Sequence, residues 1–435
     1  MDTMSFKDTA QYALEGLLRA GADKASCAVT NGRKDEFNIE ANEFSLLRTL
    51  FNDTLQLKAI CGGAKGVIAL NKLDKDSIDR AVADCVSLAS QALPDDAEDI
   101  AENDQSMSFD QRIGGSDKNA LFDRTKEFTE QLRDEFPRIV LEGMTSDFNA
   151  SQSVYCNSNG VILDDEQEYY SFGTSFSAKD NEKSSSFNYY GAYLTELNKP
   201  FMETGLQRTL LEDSVKSLNA KMVDGKFIGK IVMTPSCDDM IWQTLLDSFL
   251  GDSCMVAATS RWKDALGTRV TDSKLTMKLS PLNPLIVAGE RFTSDGYVSR
   301  DTELIREGIL TSYALSLYGS RKTGHKRALN TAFGNIEVAA GDKPLSEIIK
   351  GIDRGILLGR FSGGSPGPSG DISGIAKNSF MIENGVVTDA LSETMLSFNI
   401  VDILQNILSI SKERAANGMS VLPWCCFDGV TISGK

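Results

Sequence analysis

Residues 361–374 read FSGGSPGPSGDISG, which places five glycines and two prolines in fourteen residues. A glycine-rich run binds phosphate when it leads into a helix whose first amides face the anion. Here the run leads into IAKNSFMIENGVV (375–387), whose alternation and Glu383-Asn384-Gly385 turn predict a strand hairpin. The run is therefore predicted to be a bend between strands, so this region is strand-rich and its glycines serve geometry.

Within this run, several glycines permit a close approach of another chain segment. They are Gly363, Gly364, Gly367 and Gly370. Asp371 follows them and is expected to hydrogen-bond the turn, because a short acidic side chain readily satisfies turn amides.

The chain of 435 residues is longer than a domain with a single hydrophobic core usually is. Outward from the run, the sequence divides into four regions. Residues 1–93 read as an N-terminal α/β domain, 94–117 as an acidic connector, 118–222 as a middle α/β region and 223–435 as a C-terminal β-rich domain. The predicted class is α+β, with an N-terminal α/β region before a strand-rich domain that holds a few helices.

Turn-forming pairs punctuate the first two regions. Asn31-Gly32 and Asn52-Asp53 are expected to separate short strands, and Asn159-Gly160 predicts a hairpin. A helix is expected at about 240–250, in DDMIWQTLLDSFLGDS.

Composition restricts the class of partner and the compartment. The net charge of −16 opposes contact with a phosphate backbone, so no direct nucleic-acid partner is expected. No apolar run approaches the length of a membrane span, and the N-terminus lacks the features of a signal peptide. The eight cysteines form no C-x-x-C pair and are expected to be free thiols. These features predict a cytoplasmic protein without a membrane partner.

His325 is the single histidine of the chain. It lies between Lys322 and Lys326, whose charges would lower its basicity, so an exposed loop histidine is the expected role. A zinc site built on two or three imidazoles is excluded. The sequence also lacks G-x-x-x-x-G-K-[ST] and G-x-S-x-G.

Three stretches together resemble the TldD/PmbA family, a bacterial and archaeal group labelled as modulators of DNA gyrase and understood as metalloproteases. They are, in order, RFTSDGYVSRDTELIREGILTSYALSLYGSRKTG, SGDISGIAKNSFMIENGVVTDALSETMLSFNIVDILQNI and the terminal GVTISGK. Active members of the family carry H-E-x-x-x-H on a helix and a cysteine nearer the C-terminus. By this resemblance, Trp242 and Asp247 stand where the histidines belong, and Gln243 replaces the glutamate.

The resemblance therefore implies the PmbA (TldE) branch, a non-catalytic subunit without metal of its own. Zinc is expected only in a TldD-type partner, with which this chain would form a homo- or heterodimer that cleaves extended or unfolded peptides. Gly363, Gly364, Gly370 and Asp371 would form the bend beside the peptide groove. A bulky residue at Gly364 is then expected to disturb assembly or peptide entry.

Two alternatives remain. One is an independent peptidase or hydrolase without a histidine site, with either a different nucleophile or a carboxylate metal site, because acidic and thiol side chains surround the same helix. They are Asp238, Asp239, Asp247 and Asp252, with Cys237 and Cys254 on either side. Asp238 or Asp239 is, however, expected to cap that helix. The gyrase label implies instead a regulatory subunit that binds another protein.

Overall fold

The computed structural model describes residues 4–102, 106–364, 366 and 369–434; Gly367 and the side chains of Asp238 and Asp239 lie outside that description. The helices are α1 (Phe6–Arg19), α2 (Lys75–Gln91), α3 (Lys118–Glu135), α4 (Gln207–Lys216), α5 (Pro235–Leu245), α6 (Asp252–Val256), α7 (Leu317–Thr323), α8 (Leu345–Lys350) and α9 (Ile400–Gln405). No helix in the described part of the chain is long and apolar enough to cross a membrane.

An eight-stranded sheet occupies the N-terminal half. Its strands are β1 (Lys24–Glu40), β2 (Glu43–Cys61), β3 (Ala64–Leu70), β4 (Ser106–Gln111), β5 (Ile139–Asn157), β6 (Ile162–Asp180), β7 (Lys183–Ser184) and β8 (Asn188–Leu194). The order is β3-β2-β1-β5-β6-β4, and β7 and β8 also pair with β6. One sheet therefore joins residues 1–93 to 118–222, and the connector contributes β4.

Polar caps fix where the N-terminal helices begin. The side chains of Ser5, Asp74 and Asp117 each accept a hydrogen bond from the amide three residues on, at the starts of α1, α2 and α3. Such caps satisfy amides that have no partner inside the helix. The helices pack their apolar sides on one face of the sheet, where Cys27, Val29, Leu57 and Val154 form part of the core.

The predicted turns at Asn31-Gly32 and Asn52-Asp53 are wrong. Gly32 pairs with Asn52 inside a continuous antiparallel ladder between β1 and β2. The chain reverses instead at Ala41-Asn42, where both φ angles are positive, at 49° and 66°. A two-residue loop with two positive φ angles matches the twist of the strands it joins.

A thirteen-stranded sheet forms the C-terminal region. Its strands are β9 (Lys226–Met233), β10 (Met277–Leu279), β11 (Thr302–Arg306), β12 (Ile309–Leu310), β13 (Ile336–Val338), β14 (Arg354–Leu358), β15 (Arg360–Gly363), β16 (Asp371–Lys377), β17 (Phe380–Glu383), β18 (Val386–Ala390), β19 (Thr394–Asn399), β20 (Ile407–Ala416) and β21 (Val421–Ser433). The last strand, β21, pairs with β9, β13, β19 and β20. The predicted α+β class, with a strand-rich C-terminal region, is confirmed.

Ion pairs of the acidic connector attach it to both halves of the molecule. The buried Asp99 carboxylate pairs with Lys24 of β1 at 2.6 Å and with Arg321 of α7. Asp95 pairs with Lys322 of α7 at 2.9 Å. Because Asp99 is shielded from water, its pairs are screened by salt less than exposed ones. Acidic residues of the connector thus form ion pairs with basic residues of the N-terminal sheet and of the C-terminal region.

The face of the first sheet opposite the helices carries a buried carboxylate, Asp147 of β5. Burial raises the pKa of Asp147 to about 6, although the Lys34 ammonium at 3.1 Å opposes the shift. Its Oδ1 has no hydrogen-bond partner among the described residues. An ionised carboxylate that is buried and incompletely hydrogen-bonded lowers the free energy of unfolding.

We expect Asp147→Asn to raise the free energy of unfolding by roughly 1–2 kcal/mol at pH 8 and to leave it unchanged at pH 4. The folded pKa of about 6 exceeds the ordinary 3.8, so the cost of the ionised carboxylate grows as the pH rises from about 4 to above 6. Chemical denaturation at the two pH values measures the difference.

Asp35→Asn is the matched control of opposite sign. Burial alone would raise the pKa of Asp35, but hydrogen bonds from Thr49 and Lys118 hold it below its usual value. This substitution should therefore destabilise the protein at pH 8 and less so at acidic pH. If Asp147→Asn destabilises the protein equally at both pH values, Asp147 does not carry the cost described here.

Candidate functional site

Helix α5 carries the positions at which the family resemblance places a metal site. It begins at Pro235, with Thr234 in the N-cap position, because proline suits a first helical turn in which its missing amide is not needed. The predicted caps, Asp238 and Asp239, lie inside the helix, so the capping prediction is wrong. The helix continues into a π-helical segment, Leu246–Leu250.

The three predicted positions point in different directions. Trp242 is fully buried in the core beneath α5, with Met233 of β9 and Cys425 of β21 in the same cluster. Asp247 is exposed, and its Oδ1 accepts a hydrogen bond of 3.2 Å from the Gln243 side chain. The structure therefore brings Gln243 and Asp247 together and separates Trp242 from both.

These three side chains do not fit a zinc ion. The Trp242 indole N–H is a donor with no lone pair to offer, and it lacks a hydrogen-bond partner among the described residues. Zinc is held by thiolate, imidazole or carboxylate ligands that converge on one point, and only Asp247 is of that type here. Elsewhere in the described residues, His, Cys, Asp and Glu side chains form no group of three that could hold a metal ion.

Two further side chains of the alternative metal site, Asp252 and Cys254, have structural contacts. Asp252 accepts hydrogen bonds from the amide and hydroxyl of Ser316 and so fixes the start of α7. The Cys254 thiol donates to the Gly251 carbonyl at 3.2 Å. Burial raises the pKa of that thiol, which keeps it protonated at neutral pH.

A cleft of about 290 Å³ opens beside Gln243, between the two sheets. Its walls include Tyr189, Tyr190 and Gly191 of β8, Ser236 at the start of α5, and Asn417 after β20. Of the three predicted metal positions, Gln243 alone lines it. The cleft is therefore the concavity to which this helix contributes.

Strand β8 presents backbone groups to this cleft. One side of β8 pairs with β6, and on the other side the Tyr193 amide donates to the Asn417 carbonyl at 2.8 Å. Because backbone groups alternate along a strand, Gly191 directs its amide and carbonyl to the same side as Tyr193. The wall of the cleft at Gly191 is thus an open strand edge.

Sequence reasoning missed β8 and Asn417 as parts of the site. Asn417 is followed by Gly418, whose positive φ of 82° and whose position against the Tyr193 carbonyl require glycine. The Asn417-Gly418 pair is a turn signal that sequence could have provided. Its contact with β8 depends on the packing of distant segments, which local signals do not contain.

The glycine run lies in a different place. It joins β15 to β16, and a separate open cleft there is lined by Asp371, Ser373, Asn399 and Asp402 among others. The structure therefore does not bring Gly363, Gly364, Gly370 or Asp371 into the cleft that Gln243 lines. The role of this bend beside a peptide groove stays a prediction.

Contacts of Asp371 and Gly363 stabilise the conformation of the bend. The Asn399 amide donates to the Asp371 carboxylate at 2.9 Å, which lowers the pKa of Asp371. Gly363 pairs with Gly374, and a Cβ atom at Gly363 would lie 2.6 Å from the Ser373 carbonyl. At Gly364 a Cβ atom would meet nothing within 4 Å, so the close approach lies at Gly363.

Comparisons with known proteins agree on one family. Residues 228–434 match the model of the PmbA/TldA metallopeptidase C-terminal domain. A metalloprotease PmbA homolog of Haemophilus influenzae is 22% identical over 447 residues, which cover 99% of this chain and 96% of that protein. A zinc metalloprotease TldD homolog of Saccharolobus solfataricus is 26% identical over 133 residues, 28% of this chain and 30% of that one.

Solved structures share the fold over almost the entire chain. TldE from Thermococcus kodakarensis superposes with a TM-score of 0.83 at 18% identity and covers 98% of this chain and 100% of its own. A Bacteroides thetaiotaomicron protein with the gyrase-modulator label superposes with a TM-score of 0.86 at 20% identity and full coverage of both chains.

We expect Gly363→Val to destabilise the β15–β16 pair by roughly 1–3 kcal/mol, because its side chain must displace the Ser373 backbone. Gly364→Val is the matched control and should change stability by less than about 0.5 kcal/mol. Amide hydrogen exchange of residues 360–377 measures the local effect. Equal loss of protection in both variants would contradict this assignment.

A triple variant, Trp242→His/Gln243→Glu/Asp247→His, restores the family motif by residue type. We expect it to bind no stoichiometric zinc and to lose about 3–5 kcal/mol of stability, because position 242 lies in the core. Elemental analysis after dialysis and chemical denaturation measure the two effects.

The double variant Gln243→Glu/Asp247→His leaves Trp242 in place and should keep nearly native stability, since both positions have access to water. One zinc per chain in a stably folded triple variant would show that position 242 can reach the cleft.

Proposed function

The chain belongs to the PmbA/TldD family, and from that premise we propose that it is the non-catalytic subunit of a peptide-cleaving metalloprotease complex. In this proposal a TldD-type partner supplies the zinc ion and the catalytic groups. The present chain contributes part of the chamber and of the path along which an extended peptide reaches the metal.

The burial of Trp242 is the observation that carries the proposal. Where the family motif has its first zinc-binding histidine, this chain has an indole that is fully buried and packs the core beneath α5. An indole N–H cannot bind a metal ion, and an amide such as Gln243 cannot deprotonate a metal-bound water. The helix therefore has a packing role at position 242, and the side chains at positions 242 and 243 can neither bind zinc nor activate a water.

The relatives support a complex of two kinds of subunit. A TldD homolog of S. solfataricus is named as a zinc metalloprotease, and the T. kodakarensis structure that shares this fold is a TldE. A chain without the two histidines of the motif fits the second kind. The partner proposed for it is accordingly a family member with an intact H-E-x-x-x-H motif.

The cleft beside Gln243 supports an extended peptide as the molecule that is guided. Gly191 offers an amide and a carbonyl at an open strand edge, and glycine leaves room for another backbone to approach. A peptide in extended conformation pairs with such groups whatever its side chains are. Recognition through the backbone suits a protease that accepts unfolded segments of many sequences.

The deciding experiment compares the purified chain alone with the chain mixed with a TldD-type subunit from the same organism. Cleavage of an unstructured peptide is measured with and without a chelator, and zinc is measured in each subunit. We expect the chain alone to be inactive and free of stoichiometric zinc, the two subunits to co-elute, and the mixture to cleave in a chelator-sensitive manner.

The control replaces the motif glutamate of the partner by glutamine, which removes the general base without changing the shape of the assembly. This mixture should co-elute and be inactive. Chelator-sensitive cleavage by the present chain alone would overturn the non-catalytic role, and failure of the subunits to co-elute would overturn the partnership.

A further inference from the structure

Two cations lie beside the cleft that Gln243 lines, although no Asp, Glu, Lys or Arg of the described residues forms its walls. Arg360, the first residue of β15, places its guanidinium carbon 4.0 Å from the ring centroid of Tyr189, a residue of the cleft wall. Lys377 of β16 is the direct cross-strand partner of Arg360, so the two side chains leave the same face of this strand pair. Positive charge is therefore concentrated next to the wall at Tyr189.

These two cations have no carboxylate partner within the part of the chain that the structure describes. Arg360 and Lys377 are partly buried, and neither forms an ion pair with a described Asp or Glu, Asp247 beside Gln243 included. The chain has 61 acidic residues against 45 basic ones, so a lack of acidic side chains does not explain this. Because like charges directly opposite each other destabilise a sheet, a bound anion would relieve the repulsion.

Arg360 also ends the open strand edge of the cleft. Its Nη1 donates to the carbonyl of Phe187, immediately before β8, at 2.9 Å. At the other end of the edge, the Tyr193 amide donates to the Asn417 carbonyl. Gly191 lies between these two closed ends, and four residues of extended strand separate it from Phe187 by about 13 Å. A peptide that pairs with Gly191 thus reaches Arg360 after about four residues.

We propose that Arg360 and Lys377 bind a carboxylate of the peptide that occupies this cleft, an inference that rests on the peptide-guiding role proposed above. The Arg360 guanidinium is planar, as a carboxylate is, and its stacking on Tyr189 fixes the orientation of that plane. One of its N–H groups is bonded to Phe187, and the others remain as donors. Lys377 adds a second charge next to the same position.

The carboxylate comes either from the C-terminus of the peptide or from an aspartate or glutamate side chain. A C-terminal carboxylate at Arg360 requires the peptide to run antiparallel to β8, because Phe187 lies at the N-terminal end of that strand. An acidic side chain permits either direction. The two sources share one chemistry, and a peptide series separates them.

The first test measures binding of peptides to the purified chain without any partner subunit, by fluorescence anisotropy at low ionic strength, where charge pairs are least screened. The probe is an unstructured peptide of serine, threonine and alanine with an uncharged dye at its N-terminus. It is made with a free C-terminus, with an amidated C-terminus, and with an amidated C-terminus and either glutamate or glutamine near the end.

We expect the free-carboxylate peptide, the glutamate peptide or both to bind about tenfold more tightly than the amidated peptide and the glutamine peptide. A gain with the free C-terminus alone identifies the C-terminus as the source, and a gain with glutamate alone identifies the side chain. This comparison uses the wild-type chain and so does not depend on the folding of a variant.

The second test gives Arg360 a carboxylate of its own. Lys377→Glu places opposite charges across the β15–β16 pair, which should leave the chain at least as stable as the wild type. The new carboxylate occupies Arg360, so the preference for acidic peptides should disappear. Lys7→Glu, at an exposed position in α1, changes the net charge by the same amount and should retain the preference. Circular dichroism confirms the folded state of both variants.

Equal binding of all four peptides by the wild-type chain would overturn the proposal, as would a preference for acidic peptides that survives Lys377→Glu. A chain that binds none of the peptides would also overturn it. These results are distinct from those that decide the subunit role, because co-elution and chelator-sensitive cleavage are measured on the mixture with the TldD-type subunit.

Discussion

The pairing of the last strand with β9 is the constraint on which the C-terminal region depends. Strand β21 lies inside the sheet and pairs with four strands, β9, β13, β19 and β20. Its buried residues, Cys425 and Phe427 among them, form the surface on which α5 packs. Because α5 packs on this surface, its position depends on residues from opposite ends of the region.

This constraint explains which features the sequence could predict. Hairpins at Asn159-Gly160 and Asn384-Gly385 follow from the preference of two adjacent residues for positive φ or a tight turn, and both form. The same preference failed at Asn31-Gly32, because a long ladder with apolar alternation outweighs a local turn signal. Turn propensity thus determines where the chain reverses only if no stronger strand pairing competes with it.

The site was less predictable than the fold, because its parts are assembled by contacts between sheets. Gln243 was identified from the resemblance of its helix to a family motif, and the burial of Trp242 is consistent with the apolar period of α5. Gly191 and Asn417 line the same cleft. They are brought there by the hydrogen bond from the Tyr193 amide, two residues after Gly191, to the Asn417 carbonyl across the junction of the two regions. Such a contact has no signature in the local sequence of either segment.

The geometry of α5 agrees with the residue types found at positions 242 and 247. In an α-helix, positions five apart differ in direction by about 140°, so two ligands with that spacing converge only where the helix is wider. In this chain a π-helical hydrogen bond joins the Gly251 amide to the Leu246 carbonyl at 2.7 Å. The widened part of the helix therefore begins only near the end of the segment 242–247. Position 242 consequently points into the core and position 247 to the surface. A large apolar side chain at 242 then stabilises the helix against β9 and β21, and a polar ligand there would lose that packing. Core packing therefore favours a large apolar residue at this position.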